Sequence, residues 1–226
     1  MSDTEKKPEI EKKPDTEKKP DTEKKPDTEK KPDTEIEKKP ETEDIMVRIN
    51  KLKEQYFEIN KKNTFFKKNQ KLDCAKFVAN NMDLNELIDK TVFMIPNTKI
   101  IYIDYLVFKH FANEDNYDKI VQHIINLFDY AIKYYGNYIA FLNLDSFTVS
   151  STERYIPAVK IFCNICLSKN NIYMGFIDKF YILNRPAVME AIINVVKPFV
   201  EKDVINKLTF LTKEQTKTFL ENGWNN

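Results

Sequence analysis

Cys163 and Cys166, spaced as C-x-x-C, could carry redox or zinc chemistry. A redox motif needs a thiolate stabilised at a helix N-terminus. This pair instead falls in the last third of a predicted helix, where the helix dipole disfavours negative charge. Zinc needs two more ligands at compatible spacing, and the remaining cysteine, Cys74, is remote in sequence. We therefore predict a buried structural pair, with no metal site and no cofactor, because free cysteine is among the most buried residue types.

The two histidines, His110 and His123, could be combined with Asp145 and Ser146 into a hydrolytic triad. Such triads are defined by geometry, and no spacing in this sequence selects one. His123 falls opposite the apolar stripe of its predicted helix, and His110 follows a predicted strand. We expect a surface or structural role for each histidine, and a protein that is not an enzyme.

Glycine is scarce: the 226 residues include only Gly136, Gly175 and Gly223. They cannot form a G-x-G-x-x-G motif or a P-loop, so the usual nucleotide cradles are excluded, and G-x-S-x-G is absent too. No apolar run approaches the roughly 18 residues of a membrane span, and the N-terminus lacks the apolar core of a secretory signal. Together with three cysteines in no disulfide spacing, these features predict a cytoplasmic protein.

Residues 1–44 differ in composition from the rest of the chain. They contain 12 Lys and 16 Asp and Glu but no aromatic residue, so they carry −4 while the remaining 182 residues carry +5. The repeat [Asp/Glu]-[Thr/Ile]-Glu-Lys-Lys-Pro runs through residues 3–40. Too little apolar surface is available to offset chain entropy, so we predict a disordered tail, either a solvated spacer or a docking segment for a protein partner. The modest, dispersed charge of the remainder predicts no nucleic-acid partner.

The remainder begins with a short helical segment, residues 45–90, and then alternates between strands and helices. The clearest helix starts at Tyr117, carries one apolar face and ends at Gly136. Strands that alternate with helices predict an α/β fold with a mixed, largely parallel sheet flanked by helices. The predicted strands span residues 99–108, 138–144, 172–183 and 207–211.

Asp83 with Glu86 three residues later resembles a capping box, and two more capping boxes mark helix starts later in the chain. Ser150 is followed three residues later by Glu153, and Thr212 is followed by Gln215. In this spacing each side chain bonds the backbone amide of the other residue. We therefore expect helices to begin at Ser150 and at Thr212.

The segment 187–196 is unusually apolar. Its only polar residues, Glu190 and Asn194, are four positions apart and share one narrow face of a helix. A helix that is apolar nearly all round is either fully buried or faces lipid. Both alternatives stay open for this segment taken alone.

Motifs on either side of this segment resemble a known family. Asn184-Arg185-Pro186 precedes the segment, Lys197-Pro198-Phe199-Val200 follows it, and Asn206-Lys207-Leu208 comes next. Their order and spacing resemble the C-terminal half of a CRAL-TRIO lipid-binding domain, in which Asn-Ala-Pro, a helix, Lys-Pro-Phe-Leu and a Lys-Ile strand follow each other. The resemblance covers about residues 95–220.

The resemblance implies a CRAL-TRIO-like domain over residues 91–226, in which sheet and helices enclose an apolar pocket for a phospholipid or another hydrophobic molecule. It implies that helix 187–196 acts as a gate opening at a membrane surface, so that the protein transfers its ligand as a transient peripheral membrane protein. It also places Lys207 beside a lipid head group. The expected pocket lining is Phe141, Tyr181, Met189, Ile193 and Phe199.

Members that bind phosphatidylinositol carry a glutamate where Gly175 stands, so specificity for that lipid is not implied. The alternative is a non-catalytic protein-interaction module on the same fold. A pocket filled by the domain's own side chains would favour the alternative. So would tight packing of residues 45–60 on the gate helix.

Overall fold

The computed structural model describes residues 44–61, 67–166, 172–187, 189–199 and 206–222. The repeat tail predicted to be disordered lies outside the described residues, apart from Asp44. None of the described helices combines the length and hydrophobicity that crossing a bilayer requires.

The segment 45–90 folds into three helices that contribute to the main core. Asp44 and Asp83 cap the first and third of them, each accepting a backbone N–H with its carboxylate at 2.9 Å. An ion pair of 2.6 Å between Arg48 and Glu86 joins these two helices. The three helices are α1 (Ile45–Ile59), α2 (Lys67–Asn80) and α3 (Leu84–Thr91).

The described residues form one sheet of five strands, in the order β1-β2-β3-β4-β5. β1 runs antiparallel to β2, and all other neighbours are parallel. The sheet is therefore mixed and largely parallel, as predicted, with one short edge strand that the sequence pattern did not indicate. The strands are β1 (Val92–Met94), β2 (Ile100–Asp104), β3 (Tyr138–Asn143), β4 (Ile177–Leu183) and β5 (Leu208–Phe210).

The helices that connect the parallel strands form one layer. Each strand is added on the same side of the previous one, and right-handed crossovers then keep the connecting helices on one face. Accordingly α6 contacts both α5 and α8. The layer consists of α5 (Tyr117–Tyr135), α6 (Val149–Cys166) and α8 (Met189–Val196), which continues into a 3₁₀ turn (Lys197–Phe199). The remaining helices are the short α4 (Tyr105–Phe108) and α7 (Tyr173–Phe176), and α9 (Lys213–Glu221), which follows β5.

Two of the predicted strands are shorter than expected because short helices occupy one end of each predicted range. The strand predicted over 99–108 ends at Asp104, whose carboxylate accepts the Leu106 N–H at 2.9 Å and so starts α4. Within the predicted strand 172–183, the first residues form α7, and β4 begins only at Ile177. Capping by Asp104 therefore decides where the first of these strands ends.

Helix ends follow the predicted signals at Gly136 and Thr212 but not at Ser150. Gly136 closes α5 in the left-handed conformation, with φ of 78°, and Thr212 forms both bonds of a capping box with Gln215. The box predicted at Ser150 is wrong. There α6 already begins at Val149, and the Thr148 hydroxyl accepts the Ser151 N–H at 3.2 Å.

The core has two parts, one on each face of the sheet. The larger part lies between the sheet and the layer of α5, α6 and α8, and α1 to α3 extend it. The smaller part lies on the opposite face, which is called the back face below, and centres on Ile100, Phe141, Tyr181 and Leu183 with Phe219 of α9 packed against them.

Candidate functional site

A cavity of about 270 Å³ lies between the sheet and the helix layer. Strand residues on its floor alternate with residues of the back face, because successive side chains of a strand point to opposite sides. Apart from three tyrosines, Cys163 and Lys197, the lining consists of hydrocarbon side chains and one methionine. The sheet contributes Ile103, Leu142, Phe180, Ile182, Leu208 and Phe210; the helix layer contributes Ile120, Val121, Ile124, Ala158, Val159, Phe162, Met189, Ile192 and Ile193; Phe108, Leu144 and Phe147 complete the apolar lining.

The three tyrosines of the lining differ in how their hydroxyls are bonded. The Tyr105 hydroxyl donates to Ser151 Oγ at 2.9 Å, and the Tyr155 hydroxyl donates to the Lys109 carbonyl at 3.2 Å. The Tyr117 hydroxyl is buried and has no hydrogen-bond partner among the described residues. Burial raises the pKa of all three, that of Tyr155 to about 12, so each stays a neutral phenol at physiological pH.

Helix α8 covers one side of the cavity, and its faces differ. Met189 and Ile192 are buried and Ile193 is half-buried, and all three line the cavity. Glu190 and Asn194 are exposed on the other side of the helix, on the narrow polar face that their spacing predicts. Within the described side chains of α8, none forms a hydrogen bond or an ion pair, so apolar contacts hold its inner face.

Two predicted lining residues, Phe141 and Tyr181, lie elsewhere. Both belong to the back-face cluster, where their ring centroids are 5.2 Å apart. Their neighbours Leu142 and Ile182 line the cavity instead. The predicted placement of Phe141 and Tyr181 in the lining is therefore wrong, because a position one residue away along a strand lies on the opposite face.

The other predicted site residues are placed as follows. Met189 and Ile193 line the cavity, and their contact with a lipid stays a prediction. Lys207 is not in the lining; its ammonium donates to the Ile177 carbonyl at 3.0 Å, where β4 begins. The side chain of Phe199 lies outside what the structure describes. Lys197, just after α8, is an exposed cation in the lining. The sequence indicated it as part of the Lys-Pro-Phe-Val motif and not as a site residue.

A row of polar side chains crosses the back face where strands β2, β3 and β4 end. Asn143 Nδ2 donates to Asp104 Oδ1 at 3.0 Å, and Asn184 Nδ2 donates to Asn143 Oδ1 at 2.8 Å. Asn184 has a left-handed backbone, with φ of 53°, and its N–H donates to Thr216 Oγ1 at 2.8 Å. Asn184 is thus held at the strand end just before α8 by bonds to β3 and α9.

The groups considered first for chemistry have structural surroundings. Cys163 and Cys166 are buried free thiols, as predicted, and burial raises the pKa of the first to about 11 and of the second to about 12. His123 Nε2 lies 2.9 Å from the Val92 carbonyl. His110 is half-buried, and burial, together with the charges of Lys53 and Lys109, lowers its pKa to about 3. Among the described residues, no group of three His, Cys, Asp or Glu is placed to hold a metal ion.

The lining residues of α5 and α6 were predicted to be buried but not to form the site. Ile120, Val121 and Ile124 belong to the apolar stripe of α5, and Val159 and Phe162 belong to that of α6. The periodicity shows which side of each helix faces inward. It does not show that both helices face the same cavity, which depends on the order of the strands.

The family model described as the CRAL/TRIO domain matches residues 96–222, more than half of the chain. The chain belongs to the CRAL/TRIO family. The match begins before β2 and ends after α9, so it includes every element that lines the cavity. At the level of the family, a CRAL/TRIO domain binds lipids or other hydrophobic molecules, and the apolar cavity fits that role. No curated protein matches the chain.

Proposed function

We propose that this CRAL/TRIO protein binds one hydrophobic molecule in the cavity beneath α8 and exchanges it with membranes. The cavity itself carries the proposal: it has hydrocarbon walls on the sheet side and on the helix side. Each methylene group moved from water into such a site contributes about 0.8 kcal/mol. A ligand held in this way needs few polar contacts.

Helix α8 is the proposed gate. Its inner face contacts the cavity through Met189, Ile192 and Ile193, and these apolar contacts can be exchanged for contacts with lipid at little cost. The chain before α8 is fixed at Asn184 and at Arg185, whose N–H donates to the Leu211 carbonyl at 2.8 Å. A fixed strand end followed by an apolar helix provides a pivot for outward movement of α8.

We further propose that the protein acts without catalysis, in the cytoplasm and transiently at membrane surfaces. Within the described lining, no carboxylate or imidazole stands next to a nucleophile, and general acid–base chemistry depends on such groups. The protein-interaction module is the less favoured alternative. That alternative requires a pocket filled by the domain's own side chains and α1 packed on α8. The cavity is instead not filled by side chains, and α1 packs chiefly on α2.

Extraction of the purified full-length protein tests the binding proposal. Organic extraction and mass spectrometry should yield about one lipid or other hydrophobic molecule for each chain. Protein stripped of ligand should take the same molecule up from liposomes. A folded protein that yields no ligand and takes none up would contradict the proposal.

Hydrogen exchange tests the gate. On addition of liposomes, amides of α8 should exchange faster while those of α5, which lines the opposite side of the cavity, keep their rate. An equal change in both helices, or none in α8, would contradict a moving gate.

A further inference from the structure

Two buried polar groups lack partners near the cavity: Tyr117 lines it, whereas Arg154 is outside the lining and lies over the ring of the lining residue Tyr155. The Tyr117 hydroxyl and Arg154 Nε have no hydrogen-bond partner among the described residues, and the two residues are only 2% and 7% exposed. Tyr117 begins α5 and Arg154 lies in the second turn of α6. Both helices start near the edge where the parallel strands end, so the two groups belong to the same end of the molecule.

Arg154 lies among the tyrosines of the lining. Its guanidinium carbon is 5.5 Å from the centre of the Tyr155 ring. Burial raises the pKa of Tyr105, Tyr117 and Tyr155, and the positive charge of Arg154 opposes the rise in each of them. The guanidinium is therefore within electrostatic reach of all three cavity tyrosines.

Within the described part of the chain, Arg154 forms no ion pair with a carboxylate; Glu114, the acidic residue that also acts on Tyr117, is not bonded to it. A buried charge is costly unless it is paired and hydrogen-bonded. The nearby cavity, lined by Tyr117 and Tyr155, is mainly apolar and gives an acid group of a ligand room to approach the guanidinium. Lys197, the cation in the lining at the end of α8, differs because it is exposed and solvated.

We propose that the cavity takes a single-chain amphiphile whose acid group, a carboxylate or a phosphate, pairs with Arg154 and accepts a hydrogen bond from Tyr117. This inference rests on the proposed function. Guanidinium groups bind carboxylate and phosphate oxygens through charge-assisted bonds. The volume of about 270 Å³ is just below the roughly 300–1,000 Å³ of pockets for drug-sized ligands, which favours one acyl chain over two.

Three probes with the same 18-carbon chain separate the head group from the tail. Oleic acid carries a carboxylate, 1-oleoyl lysophosphatidic acid carries a phosphate, and oleyl alcohol is neutral. Full-length protein stripped of ligand should bind one or both acids at least tenfold more tightly than the alcohol, as measured by titration calorimetry. The acid that binds more tightly identifies the head group.

Two variants test the residues. Tyr117→Phe should weaken acid binding about tenfold, weaken alcohol binding less because the alcohol is uncharged, and leave unfolding unchanged, because the hydroxyl bonds nothing within the described chain. Arg154→Met should remove the preference for acids. Lys197→Met, which deletes the exposed cation of the lining, is the matched control and should keep that preference. If Arg154→Met does not fold, Tyr117→Phe still decides.

The outcomes distinguish this inference from the proposed function. Alcohol and acids binding equally well would overturn the head-group assignment while leaving a hydrophobic site in place. Equal loss of acid and alcohol binding in Tyr117→Phe would also overturn the assignment. Absence of binding by all three probes, together with no ligand on extraction, would overturn both proposals.

Discussion

The two faces of the sheet are packed in different ways. On the helix-layer face, α5, α6 and α8 leave a cavity of about 270 Å³. On the back face, the rings of Phe141, Tyr181 and Phe219 fill the space, with centroids 5.0–5.7 Å apart. Unfilled apolar space lowers stability because lining atoms lose contacts, so the filled face is suited to stabilising the fold and the open face to holding a ligand.

The largest expected effect comes from emptying the filled face. Phe141→Ala should lower the free energy of unfolding by about 3–5 kcal/mol, because Phe141 is fully buried between Tyr181 and α9. Ligand content of the folded fraction should not change. Urea denaturation measures the loss. Phe93→Ala, at a partly exposed ring of the same face, is the control and should lower the free energy of unfolding far less. Similar losses in the two variants would contradict a tightly filled back-face cluster at Phe141.

Filling the cavity on the helix-layer face should raise stability rather than lower it. Ala158→Leu adds apolar groups where the cavity has room, so we expect about 1 kcal/mol of added stability and loss of ligand binding. The same change at Ala140, which is buried in the main core outside the lining, should overpack the core and cost about 1–3 kcal/mol. Thermal unfolding and ligand uptake measure both variants. Equal destabilisation by the two changes would contradict an open cavity.

A smaller loss of stability is expected from substitutions at Asn184, where β4 ends before α8. Asn184→Ala loses the bond to Asn143 and places alanine at a φ of 53°, at a cost of about 1–2 kcal/mol. Asn184→Gly loses the same bond without the backbone strain and should cost less. Urea denaturation gives the ranking. A glycine variant as unstable as the alanine variant would show that the backbone conformation contributes nothing.

The smallest effect concerns pH. Burial raises the pKa of Asp104 above its ordinary value, although bonds from Leu106 and Asn143 oppose the shift. The folded state therefore holds this proton more readily than the unfolded state, so stability falls as pH rises from about 4 through the folded pKa. Asp104→Asn keeps an oxygen acceptor and removes the titration, so its advantage over the wild type should grow between pH 4 and pH 7. Urea denaturation at both pH values would show a constant difference if this is incorrect.

Sequence patterns predicted the fold more completely than the site. The apolar stripe from Tyr117 to Gly136, the capping box at Thr212 and the motif around Asn184 indicated elements that the structure contains. Each of these signals acts within a few residues, so it is visible along the chain. The boundary at Asp104 was missed because a strand-forming sequence continues past the carboxylate that starts α4.

The site was predicted only in part. Met189 and Ile193 were identified because helix 187–196 is apolar over most of its surface, and both line the cavity. Phe141 and Tyr181 were also assigned to the lining, but both lie on the back face. A strand that is apolar on both faces shows no alternation of polar and apolar residues. The sequence therefore could not show which residues of β3 and β4 face the cavity and which face the back.

Arg154 was not singled out, and no local pattern would have identified it. A lone arginine in the first turns of a helix is usually solvated. Arg154 is buried only because the fold packs α6 into the core, where its charge also reaches Tyr105 and Tyr117 of other elements. Lys207 was predicted to meet a head group, yet its ammonium bonds a backbone carbonyl at the start of β4. The cations of the site thus depend on contacts between distant segments.

By itself the sequence determined the charged repeat tail, the alternation of strands and helices, the apolar segment 187–196 and, through its motifs, the family. These follow from composition and from short-range periodicity. Only the tertiary structure decided which face of the sheet holds the cavity, which tyrosine hydroxyl has no partner among the described residues and which buried cation lies within electrostatic reach of it. The physical reason is that burial and pairing arise between residues far apart in sequence, once the strand order has placed α5, α6 and α8 on one side.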